Sequence, residues 1–318
     1  MPPTIVAVDE PSLKAAVMAL RCGELVAFPT ETVYGLGADT RSPMAIASIY
    51  ALKGRPADNP VIAHVADAAM ARTLVARWDE RAETLARNFW PGPLTFVLPR
   101  GESVPSDCTA GLDTIAVRCP AHPIAQFLIR GFGDAISAPS ANRSGRLSPT
   151  AAEHVALEFA ATDRLIVIDG GPCLLGIEST VLDISGDCAR ILRPGSITAE
   201  RIAEVIGEVE LAAPRTQDIA PGTASSHYAP STPLRIVDGA ALADVLQGAG
   251  APRRAAVLAI EAHQGVVVEP HVHIAMPSDP TQYAARLYAA LRDADRSGAD
   301  AIIVVAPPTD SGVWHAVH

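Results

Sequence analysis

A chain of 318 residues, 49% of them hydrophobic, is long enough to bury two cores, so two domains are expected. The 25 Lys and Arg stand against 35 Asp and Glu, a net charge of −10, which argues against a general electrostatic grip on nucleic acid or an anionic membrane and makes any phosphate site a local one. Five cysteines without a Cys-x-x-Cys spacing argue against a disulfide framework or a zinc knuckle, and no stretch has the roughly 18 uncharged apolar residues of a membrane helix, so a cytoplasmic protein is expected.

Residues 12–22 place Leu13, Ala16, Val17 and Leu20 at helical spacing before Gly23. A strand over residues 25–28 feeds Pro29-Thr30-Glu31-Thr32-Val33-Tyr34-Gly35-Leu36-Gly37, whose two glycines are expected to let the backbone bend closely around a ligand. Ser42-Pro43 starts a helix that Gly54 ends, leaving the turn Lys53-Gly54-Arg55-Pro56. Strands are predicted at 61–65, interrupted by His64, and at 94–98 and 114–117, the last ending on Arg118; two helices lie between 67 and 89, and another runs from about 123 to 130. Residues 136–149 are rich in hydroxyls and amides and form a second candidate binding loop, after which Thr150 and Glu153 fit a capping box. Strands at 165–168, 179–184 and 189–192 precede a helix capped near Thr198.

From about 208 to 233 periodicity is lost while prolines accumulate, so this segment is expected to connect a domain of residues 1–207 to a second of residues 234–318. Strands at 234–237, 255–260 and 301–305, with helices at 241–247 and 283–295, predict a small parallel α/β domain of Rossmann-like layout. The chain stops inside a helical pattern at 314–318, so a natural terminus further on is expected.

No Gly-x-x-x-x-Gly-Lys-Ser/Thr motif is present, and Gly35-Leu36-Gly37 lacks the third glycine of a dinucleotide fingerprint. Side chains would have to hold a nucleotide's phosphates. Lys53 and Arg55 suit that role as a compact charge and a planar fork, although cations at a helix C-terminus also simply favour its dipole. His64 reads either as a satisfied core residue or as a ligand, and Arg118 either reaches solvent or meets an anion at the sheet edge. His271-x-His273 lacks further donors at ligand spacing and is declined as a metal site.

Taken in order and spacing, residues 29–37, Lys53-Gly54-Arg55-Pro56, Ser137-Ala138-Pro139-Ser140-Ala141-Asn142, Leu192-Arg193-Pro194-Gly195 and His227-Tyr228-Ala229-Pro230 resemble the YrdC family of threonylcarbamoyl-adenylate synthases, in its longer two-domain form. The resemblance implies an open, twisted mixed sheet with helices and a reaction of L-threonine, bicarbonate and ATP, with magnesium accompanying ATP and no metal site made by protein ligands alone. It implies that Thr32, His64, Arg118, Ser179 and the backbone at Ala138 contact threonine. Lys53, Arg55, Asn59, Thr114, Ser140, Asn142, Ser148 and Arg193 would face ATP, and Tyr228 would close over it; Lys53, Arg55 and Arg118 would be the catalytic cations. The product would pass to a separate tRNA threonylcarbamoyl-transferase complex, without direct tRNA binding by this chain. Two rival readings are the carbamoyl transfer of hydrogenase-maturation proteins, whose extra modules have no room here, and an RNA-binding or ribosome-assembly module, which the acidic balance disfavours.

Overall fold

The structure, a computed structural model, describes residues 3–212, 229–260, 265–307 and 312–317. In chain order the first part comprises β1 (Thr4–Val6), α1 (Glu10–Arg21), β2 (Val26–Phe28), β3 (Gly35–Asp39), α2 (Pro43–Lys53), β4 (Ile62–His64), α3 (Ala68–Arg72), α4 (Glu80–Phe89), β5 (Leu94–Pro99), β6 (Thr114–Arg118), α5 (Pro123–Phe132), β7 (Ile136–Ser137), α6 (Ala152–Glu158), β8 (Ile166–Ile168), β9 (Thr180–Asp183), β10 (Arg190–Arg193), α7 (Ala199–Ile206) and β11 (Glu210–Leu211). The second comprises β12 (Leu234–Val237), α8 (Leu242–Gln247), β13 (Ala255–Ile260), β14 (Val272–Met276), α9 (Pro280–Arg296), β15 (Ala301–Val305) and α10 (Trp314–Val317).

The helix ends follow their local chemistry. Ser42 accepts the Ala45 amide at the start of α2, and Gly54 ends that helix in the left-handed region at φ 62°. Asp67, Asp79 and Thr198 cap α3, α4 and α7 in the same way as Ser42. The capping box expected at Thr150 does not form: Ala151 stands at the cap of α6, and the Thr150 amide instead donates to His154 Nδ1 at 3.2 Å.

The first part makes one mixed sheet in the order β1-β8-β2-β3-β7-β4-β6-β5-β9-β10-β11. On one face, Ala63, Ile115, Val117, Leu94, Phe96, Leu98 and Leu182 join the main core with residues of α2, α4 and α7. Period-2 alternation puts their sequence neighbours on the other face, where α1 and α5 cover Val26, Phe28, Ile136 and Ile168. Further along that same face the apolar side chains shrink to Ile62, Val97, Ala116 and Val181, and His64, Arg118 and Thr95 stand beside them in register. This thinly covered half of the sheet carries the cleft.

Sequence pattern missed β1, β3, β7, β11 and β14. Gly35 and Gly37 lie in β3, extended, and their role is packing: a Cβ on Gly37 would come within 2.6 Å of the Phe28 ring and 2.9 Å of Ile136, and one on Gly35 within 3.1 Å of the Ala138 Cβ. The expected bend is thus a strand squeezed between β2 and β7, with Gly35 at the wall of the cleft. The second part is a four-stranded, all-parallel sheet, β12-β15-β13-β14, with α9 against one face and α8 against the other. Most of the proline-rich segment, including Tyr228, lies outside the described residues.

Candidate active site

Loop 29–34 is shaped by its own threonines. Thr30 Oγ1 donates to the Val33 carbonyl at 2.7 Å and accepts the Thr32 and Val33 amides, closing a tight turn. Having given its proton to that carbonyl, Thr30 receives the Thr32 hydroxyl at 2.8 Å. Arg118 Nη1 donates to the same Thr32 oxygen at 2.9 Å. The Thr32 hydroxyl is therefore fixed in direction at the cleft wall.

Arg118 arrives at the end of β6, where a permanent cation needs a partner. Its Nη2 meets Glu31 Oε1 at 2.6 Å with both side chains under a tenth exposed, and Nε reaches the Gly92 carbonyl at 3.3 Å. The other Glu31 oxygen accepts the Ala121 amide at 3.0 Å. Burial raises the Glu31 carboxyl, but the charge and hydrogen bond of Arg118, with the amide, outweigh it and hold the group below the ordinary carboxylate range. His64, paired in register with Arg118, is pushed down to about 3 by burial first and by Arg118 second, so it is neutral. Its Nδ1 lies 3.2 Å from the Ile62 carbonyl, which can only accept; the proton sits on Nδ1 and Nε2 keeps a lone pair. Ser179, just before β9, shares a 2.8 Å hydrogen bond with Thr95 and accepts from Arg193 Nη2 at 3.1 Å.

At the other end of the cleft, cations sit on backbone carbonyls. Arg55 donates to the Asn59 carbonyl at 3.0 Å, to the Asn59 side-chain oxygen and to the Pro60 carbonyl at 2.9 Å. Lys53 Nζ donates to the carbonyls of Ser140, at 2.6 Å, and Asn142. Burial and then Arg55 push its ammonium down to about 7, against the opposing pull of Glu178 and Glu158. Asn142 donates to the carbonyls of Arg143 and Arg146 at 2.8 and 2.7 Å, closing the 142–146 loop on itself, and its buried Oδ1 finds no partner among the described residues. Ser148 donates to Glu178 at 2.6 Å, and Glu178 stands 4.0 Å from Arg193, whose Nη2 also binds the Ser179 carbonyl at 2.9 Å.

Eight of the residues predicted from sequence line this cleft: Thr32, Arg55, His64, Arg118, Ala138, Ser140, Ser179 and Arg193. Lys53, Asn59, Asn142 and Ser148 stand one contact behind, each holding a liner or its loop. Thr114 shares the Arg118 face of β6 four residues away, roughly 13 Å along the strand. Sequence reasoning missed Glu178 as a wall of the cleft and Glu31 as the partner of Arg118. A carboxylate read alone speaks against an anion site; only the fold reveals the arginine each faces.

Two family models match the chain: one described as telomere recombination, covering Sua5, YciO and YrdC proteins, over residues 18–195, and one described as the threonylcarbamoyl-AMP synthase C-terminal domain over residues 197–318. The threonylcarbamoyl-AMP synthase of Bacillus subtilis is 43% identical over 320 residues, 97% of this chain and 91% of that protein. This chain belongs to the threonylcarbamoyl-AMP synthase family. The Pyrococcus abyssi synthase is 48% identical over 237 residues, 73% of this chain and 69% of its own. The structure of P. abyssi Sua5 complexed with L-threonine matches with a TM-score of 0.90 at 38% identity, covering 99% of this chain and 95% of that one. The match extends over both sheets, and it favours the synthase over the carbamoyltransferase and RNA-binding readings.

Proposed function

We propose that this enzyme joins L-threonine, bicarbonate and ATP into threonylcarbamoyl-AMP, with release of pyrophosphate. The observation that carries this reading is the pairing, in one cleft, of a hydroxyl, a neutral imidazole and a guanidinium at Thr32, His64 and Arg118 with the guanidinium groups of Arg55 and Arg193, and with Lys53 one contact behind the wall on the Ser140 carbonyl. The first set suits an amino acid's carboxylate and hydroxyl, and the second suits phosphates.

In the proposed reaction the threonine amine attacks bicarbonate, water leaves, and an oxygen of the resulting carbamate attacks the α-phosphorus of ATP. The bond to the β-phosphate breaks as pyrophosphate departs. The chain's task is to bring anions together and to offset the charge that grows on the leaving group. Arg118 would orient the threonine carboxylate, with His64 Nε2, Ser179 and the Ala138 backbone beside it. Arg55, Lys53 and Arg193 would take the triphosphate, with Asn59, Ser140, Asn142 and Ser148 holding them and their loop in place and Thr114 marking the far end of the cleft. Magnesium enters this reading as part of the ATP substrate.

The same reading assigns residues 1–207 to catalysis, 208–233 to a connector and 234–318 to a second domain, and hands the product to a tRNA threonylcarbamoyl transferase. Among the described residues no helix is long and apolar enough to cross a membrane; a cytoplasmic place is part of the proposal. The test is pyrophosphate release with threonine and bicarbonate added singly and together, with mass analysis of the nucleotide. Release that needs both, with an adenylate heavier by threonine plus a carbonyl, is the expected result; release indifferent to threonine overturns the reading.

A further inference from the structure

Helix α9 belongs to the four-stranded sheet, yet three segments of the cleft lean on it. Val33, next to Thr32, and Leu147, next to Ser148, are buried in the core that Tyr283, Tyr288 and Leu291 form with β13, β14 and β15. Gly176 lies so close that a Cβ there would come within 2.4 Å of the Ala285 carbonyl oxygen.

The polar contact is Arg292. Its Nη2 donates to the Leu147 carbonyl, its Nη1 lies 3.9 Å from Glu158 Oε2, and only 11% of its side chain is exposed. One turn on, Asp295 accepts the Ser231 and Thr232 amides at 3.0 and 2.7 Å, and the Ala229 amide donates to the Gly145 carbonyl at 2.9 Å. The Leu147 carbonyl sits between two anchors of the nucleotide end: the Arg146 carbonyl, which accepts Asn142, and the Ser148 hydroxyl, which binds Glu178. Lys53 holds the same loop by the Ser140 and Asn142 carbonyls. The loop is thus pinned at both of its ends, by a lysine of the large sheet's α2 and an arginine of the small sheet's α9.

We infer that Arg292 is a positioning residue for the nucleotide end of the cleft, an inference that rests on the function proposed above. It is not among the side chains that line the cleft. It fixes the segment carrying Ser148, and among the described residues its polar contacts are with Leu147 and Glu158 and not with the Arg118–Glu31–Thr32 network, so its removal acts on ATP and spares threonine. A structural contact between domains would weaken both substrates or neither.

The experiment uses the full chain with Arg292→Met, which keeps the apolar stem and removes both polar contacts, and Arg292→Lys, which restores one donor. Pyrophosphate release is measured with ATP and threonine varied in turn. The expected result is an ATP KM raised about 5- to 20-fold in Arg292→Met, a threonine KM within about twofold of wild type, and partial recovery in Arg292→Lys. Equal changes in both constants, or an unaltered ATP KM, overturn the inference. If Arg292→Met fails to fold, the same two constants for Arg292→Gln decide by the same criteria. A wild-type protein that releases no pyrophosphate defeats the underlying reading instead, so the two failures are distinguishable.

Discussion

The two ends of the cleft hold their cations with different partners. At the Arg118 end the cation is already matched by a buried carboxylate, Glu31, and His64 beside it is neutral. At the other end Lys53 and Arg55 donate to backbone carbonyl oxygens, and Glu178 and Glu158 act on Lys53 from farther off. On the proposed reading the first end meets an amino acid that is a zwitterion, and the second meets a triphosphate. A balanced pair offers a zwitterion oriented donors at little net field, whereas a triphosphate calls for several cations gathered at one place. The difference shows that counting charged residues near a pocket is a poor guide to its ligand; what each charge is already bonded to decides.

The sharpest way to break this comparison is to unbalance the matched end. Arg118→Met leaves Glu31 buried without its partner and is expected to cost about 3–5 kcal/mol of unfolding free energy along with turnover. Adding Glu31→Gln should return most of the stability in urea titrations but none of the turnover; a double variant as unstable as the single one would show that the pair is not a self-contained neutral unit. Next in size, Lys53→Met strands the Ser140 and Asn142 carbonyls, and kcat/KM for ATP should fall about 10- to 100-fold with the threonine KM within about threefold. A matching loss for threonine would mean that the two ends are not separable.

Acid sharpens the comparison further. His64 is neutral when folded and has an ordinary value of 6.5 when unfolded, so the unfolded chain binds the extra proton and stability falls as pH drops from 6.5 towards 3. Glu31, held low in the fold, adds its loss in the same direction once pH falls below its ordinary value of 4.5. Unfolding free energies at pH 7, 5.5 and 4 should therefore decline by on the order of a few kcal/mol, and His64→Gln should flatten the upper part of that decline. The smallest effect is expected at Thr114, at the start of β6: Thr114→Val should raise the ATP KM by about two- to fivefold and leave threonine untouched.

Much of this architecture can be read from the chain because it is written in local signals. Ser42-Pro43 and Gly54 bracket α2, and β4 and β6 appear as short apolar runs whose polar ends, His64 and Arg118, prove to be neighbours in register. β3 stays hidden because its glycines answer to Phe28 and Ile136 across the sheet and not to any pattern of their own. The edge strands β1 and β11 are too short to show a period. The site reads in the same uneven way. Its cations announce themselves, but Glu31 and Arg118 are 87 positions apart and Leu147 and Arg292 are 145 apart, so no window along the sequence contains either pair.

Val33 and Leu147 carry one further consequence, for anyone who would divide the chain. Both flank the cleft, and both are covered by side chains of the small sheet's core. A catalytic fragment ending near residue 207 would present them to water as a fresh oily spot beside its own substrate entrance, inviting self-association at the place where reactants must enter. Polar replacements at these two positions would be the first changes to make in a soluble shortened enzyme.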